Sequence, residues 1–250
     1  MLSEQERRRY VRQLSIEGFG EKAQERLAGA TVFIAGAGGL GCSAALYLAA
    51  AGVGSLRIAD HGEVELGNLN RQVLYAARDI GTPKVDAAAR IIAGLNPGVR
   101  VEPVHAEIDE TTLPSLMRGC DLVIDALDNL PTRFCLDRVS QRLGMPIVHG
   151  AVRGFAGQVM TIIPGRTACL SCLYRGTVIS ETTPVIGVSP GVIGLLQATE
   201  AIKHLTGLGR PLQGVLLLFD GLEMSFTRLE IRRDPGCPHC GTGRAKDAEA

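Results

Sequence analysis

The chain has 250 residues, of which 46% are hydrophobic and 21% charged, and it contains no Trp. That length buries a sizeable core, as one large α/β domain or two small ones, and the composition is that of an ordinary soluble protein. Lys and Arg total 26 against 26 Asp and Glu, so no global field draws the chain to nucleic acid or to a membrane surface. The longest apolar runs, at 44–51 and 215–219, fall well short of the ~20 residues a membrane-spanning helix needs. The first residues, MLSEQERRRYVRQ, lack the apolar core of a secretory signal, and the expected location is cytoplasmic.

Ser3 and Glu6 have the spacing of a capping box and open a charged helix that runs to about Gln13. A second short helix is expected over about 21–27. Residues 31–35 (TVFIA) read as a strand. GAGGLG follows at once at 36–41, then an Ala/Leu-rich helix to Ala51 that Gly52 closes. A strand at 55–59 ends on Asp60. Strand, glycine loop, helix and strand in this order make the βαβ unit of a doubly wound sheet.

Thr82 and Pro83 supply a cap and a first-turn proline for a helix to about Gly94. Strands are expected at 99–104 and 122–126, then a helix over 131–143 closed by Gly144. Beyond Pro146 the pattern changes, with strands at 147–152, 158–163, 214–219 and 225–232 and one helix at about 191–205. Many strands with few crossover helices imply antiparallel pairing. The expected fold is α/β: a doubly wound, Rossmann-like sheet with a parallel N-terminal half and antiparallel C-terminal strands. We expect a single domain over 1–250, with a nucleotide-binding half at about 3–150 and a second half at about 151–241. Residues 242–250 read as a disordered tail.

Gly36, Gly38 and Gly41 match the glycine-rich phosphate loop, and Asp60 stands where a ribose-binding acid belongs. By itself the loop says nucleotide and does not separate NAD from ATP. The residues that follow lean toward ATP. NLNRQ at 68–72, GTPK at 81–84 and DALDN at 125–129 offer cationic groups for phosphates and an acid for Mg²⁺, a set that hydride transfer does not call for. Taken singly, Lys84 reads better as a solvated helix residue and Asp128 as a turn or cap residue.

Seven cysteines in a cytosolic chain point to metal or catalysis before disulfides. Cys169/Cys172 and Cys237/Cys240 form two CxxC pairs with 64 residues between them, enough thiolates to close a tetrahedral, structural Zn²⁺ site. Such a staple clamps the C-terminal end against the sheet. His239 is a weaker candidate ligand between the second pair. Cys42, Cys120 and Cys135 read as small core residues.

RYVRQ at 9–13, GAGGLG, Asp60, NLNRQ, GTPK and DALDN occur in the order and spacing of the ThiF/MoeB/HesA family, relatives of the ubiquitin-activating enzymes, and the resemblance spans about residues 3–241. It implies that Gly38 and Gly41 line the nucleotide, with Gly39, Gln72 and Asn129 in the same site. Asp60 would bind the ribose, while Asn68, Arg71 and Lys84 contact phosphates. Asp128 would handle Mg²⁺. Arg12 is similar to an arginine that reaches into a partner subunit's site, which implies a homodimer; Arg12, Arg71, Lys84 and Asp128 are thus the expected catalytic set. The family carries the zinc staple too, and residues 151–241 would bind the carrier.

The implied activity is ATP-dependent adenylation of the C-terminal Gly-Gly carboxylate of a small ubiquitin-fold sulfur-carrier protein, as in thiamin or molybdopterin biosynthesis. Some relatives place a nucleophilic cysteine between the first CxxC and the next helix. Here 173–190 holds none, and Thr182 and Thr183 are far weaker nucleophiles. The expectation is adenylation without an enzyme–carrier thioester, and a separate sulfur donor, since these 250 residues leave no stretch for a sulfurtransferase domain. Three rivals stand beside this reading, of which a non-catalytic scaffold that keeps fold and zinc but not turnover is opposed by the full set of charged site residues. Another is a relative that activates a tRNA-bound or small-molecule carboxylate. The third is an NAD-dependent oxidoreductase supported only by the glycine loop and Asp60.

Overall fold

The computed structural model describes residues 2–175 and 184–241. Helices α1 (Glu4–Arg9), α2 (Val11–Leu14) and α3 (Gly20–Gly29) lead into β1 (Thr31–Ala35), α4 (Gly39–Ala51) and β2 (Ser55–Ala59). Then come α5 (Lys84–Leu95), β3 (Arg100–Val104), α6 (Leu113–Met117), β4 (Leu122–Asp125) and α7 (Leu130–Leu143). The second half holds β5 (Ile147–Arg153), β6 (Ala156–Ile162), α8 (Leu170–Leu173), α9 (Val188–Thr206), β7 (Val215–Asp220) and β8 (Ser225–Glu230).

Among the described residues eight strands form one sheet in the order β3-β2-β1-β4-β5-β6-β7-β8. Pairing is parallel from β3 to β5 and antiparallel from β5 to β8, as the strand pattern implies. The strand order reverses between β1 and β4, and open α/β sheets hold ligands at such a switch point, beyond the carboxyl ends of the strands. Register sets those ends level, because Ala35 pairs with both Ala59 and Asp125. Gly36, Asp60 and Ala126 therefore leave the sheet side by side.

Crossover helices cover both faces of the parallel strands, so successive side chains bury on opposite sides. Val32 and Ile34 pack with α3, α4, α5 and α9, while Phe33 and Ala35 pack with α6 and α7. Helix α4 is apolar all round because α9 lies across it. A Cβ at Gly194 would stand 2.6 Å from the Leu40 carbonyl oxygen and 2.8 Å from Ser43 Cβ, so the crossing requires glycine there. No described helix is long and apolar enough to cross a membrane.

Several boundaries differ from the sequence expectations. The capping box at Ser3 and Glu6 forms, but the first helix breaks at Tyr10. That ring turns inward, where its hydroxyl accepts from Asn96 Nδ2 at 2.8 Å, and burying it outweighs one more helical turn. Thr82 does not cap α5; Pro83 is the flanking residue, and Lys84 begins the helix with its N–H on the Gly62 carbonyl at 3.0 Å. Helix α9 starts at Val188, with Pro190 tolerated in its first turn. The short helices α6 and α8 were not anticipated. The expected tail at 242–250 lies outside the described residues, as do Thr182 and Thr183.

Candidate functional site

The glycine loop turns sharply between β1 and α4. Gly36 has φ +98°, which only glycine adopts without strain, and a Cβ there would also collide with the Ala126 carbonyl. A Cβ at Gly41 would lie 2.0 Å from the Gly36 carbonyl oxygen. Helix α4 begins at Gly39, so its first N–H groups and positive dipole end open at the switch point. Tyr75, which the sequence did not flag, donates its hydroxyl to the Ala37 carbonyl at 2.8 Å and holds the turn from behind.

Asp60 grips the same turn. Its Oδ2 accepts from the Ala37 N–H at 2.8 Å and its Oδ1 from the Gly62 N–H at 2.7 Å. Two oxygens offer about four acceptor sites, so the carboxylate keeps capacity for sugar hydroxyls. Lys84 reaches the same corner: its Nζ and Asp60 Oδ1 both lie 3.1 Å from where a Cβ would stand on Gly62.

The loop that carries 68–72 closes over the glycines. The Arg71 carbonyl lies 3.3 Å from the Cβ position of Gly39, and Gln72 Nε2 lies 3.9 Å from that of Gly38. Gln72 Oε1 is buried with no hydrogen-bond partner. An orphaned acceptor beside an open helix N-terminus fits a site shaped for a ligand that can donate to it. The side chains of two neighbours turn elsewhere. Asn68 Oδ1 accepts from the Glu65 N–H at 3.1 Å. The Arg71 guanidinium folds onto its own loop, donating to the Gly67 carbonyl at 3.0 Å and to Asn70 Oδ1 at 2.9 Å.

Asp128 follows β4 across the switch point. The cap of α7 is Asn129, whose Oδ1 accepts from the Thr132 N–H at 2.9 Å, so Asp128 stays exposed, and among the described residues only the Asn129 amide reaches it, at 3.3 Å. The reading of Asp128 as a helix cap is thereby removed. Arg12 stands apart from this group. Gln13 beside it donates to the carbonyl of Ala51, at the opposite end of α4 from the glycines. Twelve residue steps of helix separate the two ends, about 18 Å.

The four paired cysteines converge as expected. Sγ separations are 3.9 Å for Cys169–Cys172 and 3.5 Å for both Cys169–Cys237 and Cys172–Cys240. All four ligand atoms lie within 4.8 Å of one another. A tetrahedral zinc shell with ~2.3 Å bonds has edges near ~3.8 Å, so the donor set and its spacing fit that ion. Burial opposes ionisation at Cys237, but N–H groups of Cys240 and His239 and hydrogen bonds from the Cys169 and Cys172 thiols together outweigh it and bring the thiol down to about 6. Cys169 is pushed up by burial. His239 is no member of the four; its Nδ1 sits 3.0 Å from Asp137 Oδ2 on α7.

The lone cysteines are core residues. Burial pushes the Cys42 thiol up to about 12 and raises Cys120 and Cys135 as well, which leaves none of them a ready nucleophile. A buried polar group that the sequence reading missed lies under the Asp128 turn: Asp125, Arg133 and His149, with Tyr174 and Gln158 beyond them.

The ThiF family pattern matches residues 10–239, nearly the full length. The chain belongs to the ThiF family. Within the family it is 44% identical to the SAMP-activating enzyme E1 of Haloferax volcanii, over 96% of this chain and 91% of that protein. The sulfur carrier protein adenylyltransferase of Thermus thermophilus is 43% identical, over 93% of this chain and 90% of that one. The molybdopterin-synthase adenylyltransferase of Escherichia coli is 40% identical, over 96% and 98%. Among solved structures, E. coli MccB superposes with a TM-score of 0.85 at 23% identity, covering 94% of this ThiF-family chain and 74% of that protein, a likeness of fold.

Proposed function

We propose that this chain adenylates the C-terminal carboxylate of a ubiquitin-fold sulfur-carrier protein, using ATP. The observation that carries the reading is the convergence at the switch point. The ends of β1, β2 and β4 are level, so the glycine turn, Asp60 and the turn that carries Asp128 leave the sheet side by side, and Lys84 at the start of α5 reaches the Asp60 corner. Relatives of similar length named for this activity support it.

The triphosphate lies over the N-terminus of α4, with Lys84 offsetting its charge and Asp60 accepting from the ribose. Gln72, whose Oε1 is buried without a partner, lies against Gly38 of the same turn. Asp128 would hold Mg²⁺, which supplies charge neutralisation at the phosphates. The carrier's terminal carboxylate attacks the α-phosphorus, the bond to the β-phosphate oxygen breaks, and pyrophosphate leaves as acyl-AMP forms. No proton moves, because an α-carboxyl with an ordinary pKa of about 3.5 is ionised at neutral pH. Catalysis is positioning and charge offset. Arg71 must swing from the Gly67 carbonyl to join the phosphates, and ligand charge is the driving force for that move.

Arg12 sits at the wrong end of α4 to serve its own glycine turn, which fits service in a second copy and a homodimer. The cysteine cluster holds zinc as a structural staple. The nucleotide-binding half at about 3–150 and the carrier-binding half at about 151–241 work as one cytoplasmic enzyme. The acyl-AMP then passes to a separate sulfur donor without a thioester on this chain.

The test is ATP–pyrophosphate exchange with candidate carriers ending in Gly-Gly. Exchange should require the carrier, and Asp128→Ala should lower it by about a hundredfold or more. An active Asp128→Ala enzyme, or exchange indifferent to the carrier, would overturn the assignment. Denaturing electrophoresis should show no thiol-labile carrier adduct.

A further inference from the structure

A chain of hydrogen bonds runs through the sheet beneath the Asp128 turn. Its far end is Gln158 on β6, which lines an open groove of about 410 Å³ on the antiparallel strands. Gln158 Nε2 donates to the Tyr174 hydroxyl at 2.6 Å, and that hydroxyl lies 2.8 Å from His149 Nε2. His149 Nδ1 lies 2.7 Å from Asp125 Oδ2. Asp125 Oδ1 accepts the Leu127 N–H at 3.2 Å, while Arg133 donates to the Leu127 carbonyl and, at 2.8 Å, to that of Gly150.

The donors all point one way. Asp125 is a carboxylate beside Arg133, so it only accepts. His149 must therefore donate from Nδ1, which leaves Nε2 to accept from the tyrosine, and the tyrosine oxygen takes the Gln158 amide. Both backbone groups of Leu127, the residue before Asp128, are held by this buried set. Asp125, His149 and Arg133 are all buried, and a buried ionic group is often no more stabilising than well-packed apolar side chains of the same volume. What apolar side chains could not do is grip the backbone of that turn from below.

We propose that His149 and Tyr174 are positioning residues that act through Asp125 to set the turn carrying Asp128. The chain links that turn to the groove through Gln158 and to the cysteine cluster through α8, whose last turn Tyr174 closes. Nucleotide affinity, set on the glycine side of the switch point, should be indifferent to it; turnover should not. The inference rests on the adenylation reading above.

Two variants test it. Tyr174→Phe keeps the ring against Phe134 and removes only the hydroxyl. His149→Asn keeps a donor toward Asp125 and cannot reach Tyr174. Each should lower kcat for carrier adenylation roughly tenfold, with KM for ATP changed less than about twofold and Tm within a few degrees of the parent. The double variant should be no worse than either single one, because both cut the same chain. An unchanged kcat, multiplying losses, or a rate that falls only in step with Tm would overturn the inference. A parent enzyme that binds Mg·ATP and adenylates a carrier while tolerating both substitutions sinks this inference alone. A parent that adenylates no carrier sinks the proposed function and this inference with it.

Discussion

The five parallel strands and the three strands beyond them are held together differently. Along β1 and β4 nearly every side chain is buried, with helices on both faces. Along β8 all six residues are exposed, Phe226 among them, and Leu222 and Met224 stand in solvent beside it. The parallel part rests on apolar burial and forms a stiff floor under the glycine turn. The antiparallel part buries too little to fix its outer edge and brings its C-terminal end back through four cysteines. A parallel part held by burial on both faces thus meets an antiparallel part whose far end is tied back by the cysteine cluster, and the antiparallel part presents the open surface.

The largest test of this contrast removes one thiol. Cys237→Ser should abolish stoichiometric zinc and lower stability by about 4 kcal/mol, or roughly 10 °C in Tm at ~2–4 °C per kcal/mol. Hydrogen exchange should rise in β7, β8 and residues 231–241, while amides of β1 and α4 keep their protection. Uniform loss across the sheet would mean that the two parts are not separately held. A cavity in the apolar floor should behave in the opposite way. Leu48 is fully buried on α4, which packs against α9, and α9 in turn packs on β5 and β6. Leu48→Ala should cost about 3 kcal/mol, and exchange protection should fall in both halves together. Loosening confined to the parallel strands would break the claim that they form the floor for the rest.

The same contrast decides what the sequence could reveal. The glycine turn, the capping box at Ser3 and Glu6, and the CxxC pairs are local signals, and each appears where its spacing places it. Residues that work through the fold are different. His149 lies inside an apolar strand and gains meaning only from Asp125 on the neighbouring strand, 24 residues earlier. Arg133 reads as an ordinary helix charge, yet it is buried against β4 and β5. Tyr75 braces the glycine turn across a separation of 38 residues. Helices α6 and α8 have five and four residues, too few for a periodic pattern to register. The Tyr10 break and the Pro83 flank were tertiary outcomes: a ring that had to be buried, and a backbone bond from Lys84 to Gly62.

The smallest predicted effect probes β5, the strand both halves share. Burial holds His149 below the usual histidine range, against the pull of Asp125, so the folded protein keeps it neutral. Arg133 adds to the depression, while Tyr174 and Gln158 contribute neutral hydrogen bonds. In the unfolded chain the ring takes a proton near pH ~6.5. Below that point the unfolded state binds a proton that the folded state refuses, so stability falls as pH falls and is flat above it. The slope from one such group is at most about 1.4 kcal/mol per pH unit. Urea midpoints measured near pH ~7.5, ~6.5 and ~5.5 should show this decline. His204 is also depressed by burial and contributes its own part, so the informative quantity is the difference from His149→Asn, in which the His149 share is gone. A parent protein no more acid-sensitive than that variant would mean that the ring is charged in the fold. The shared strand would then be held by an ion pair rather than by the neutral donor chain that joins the two halves.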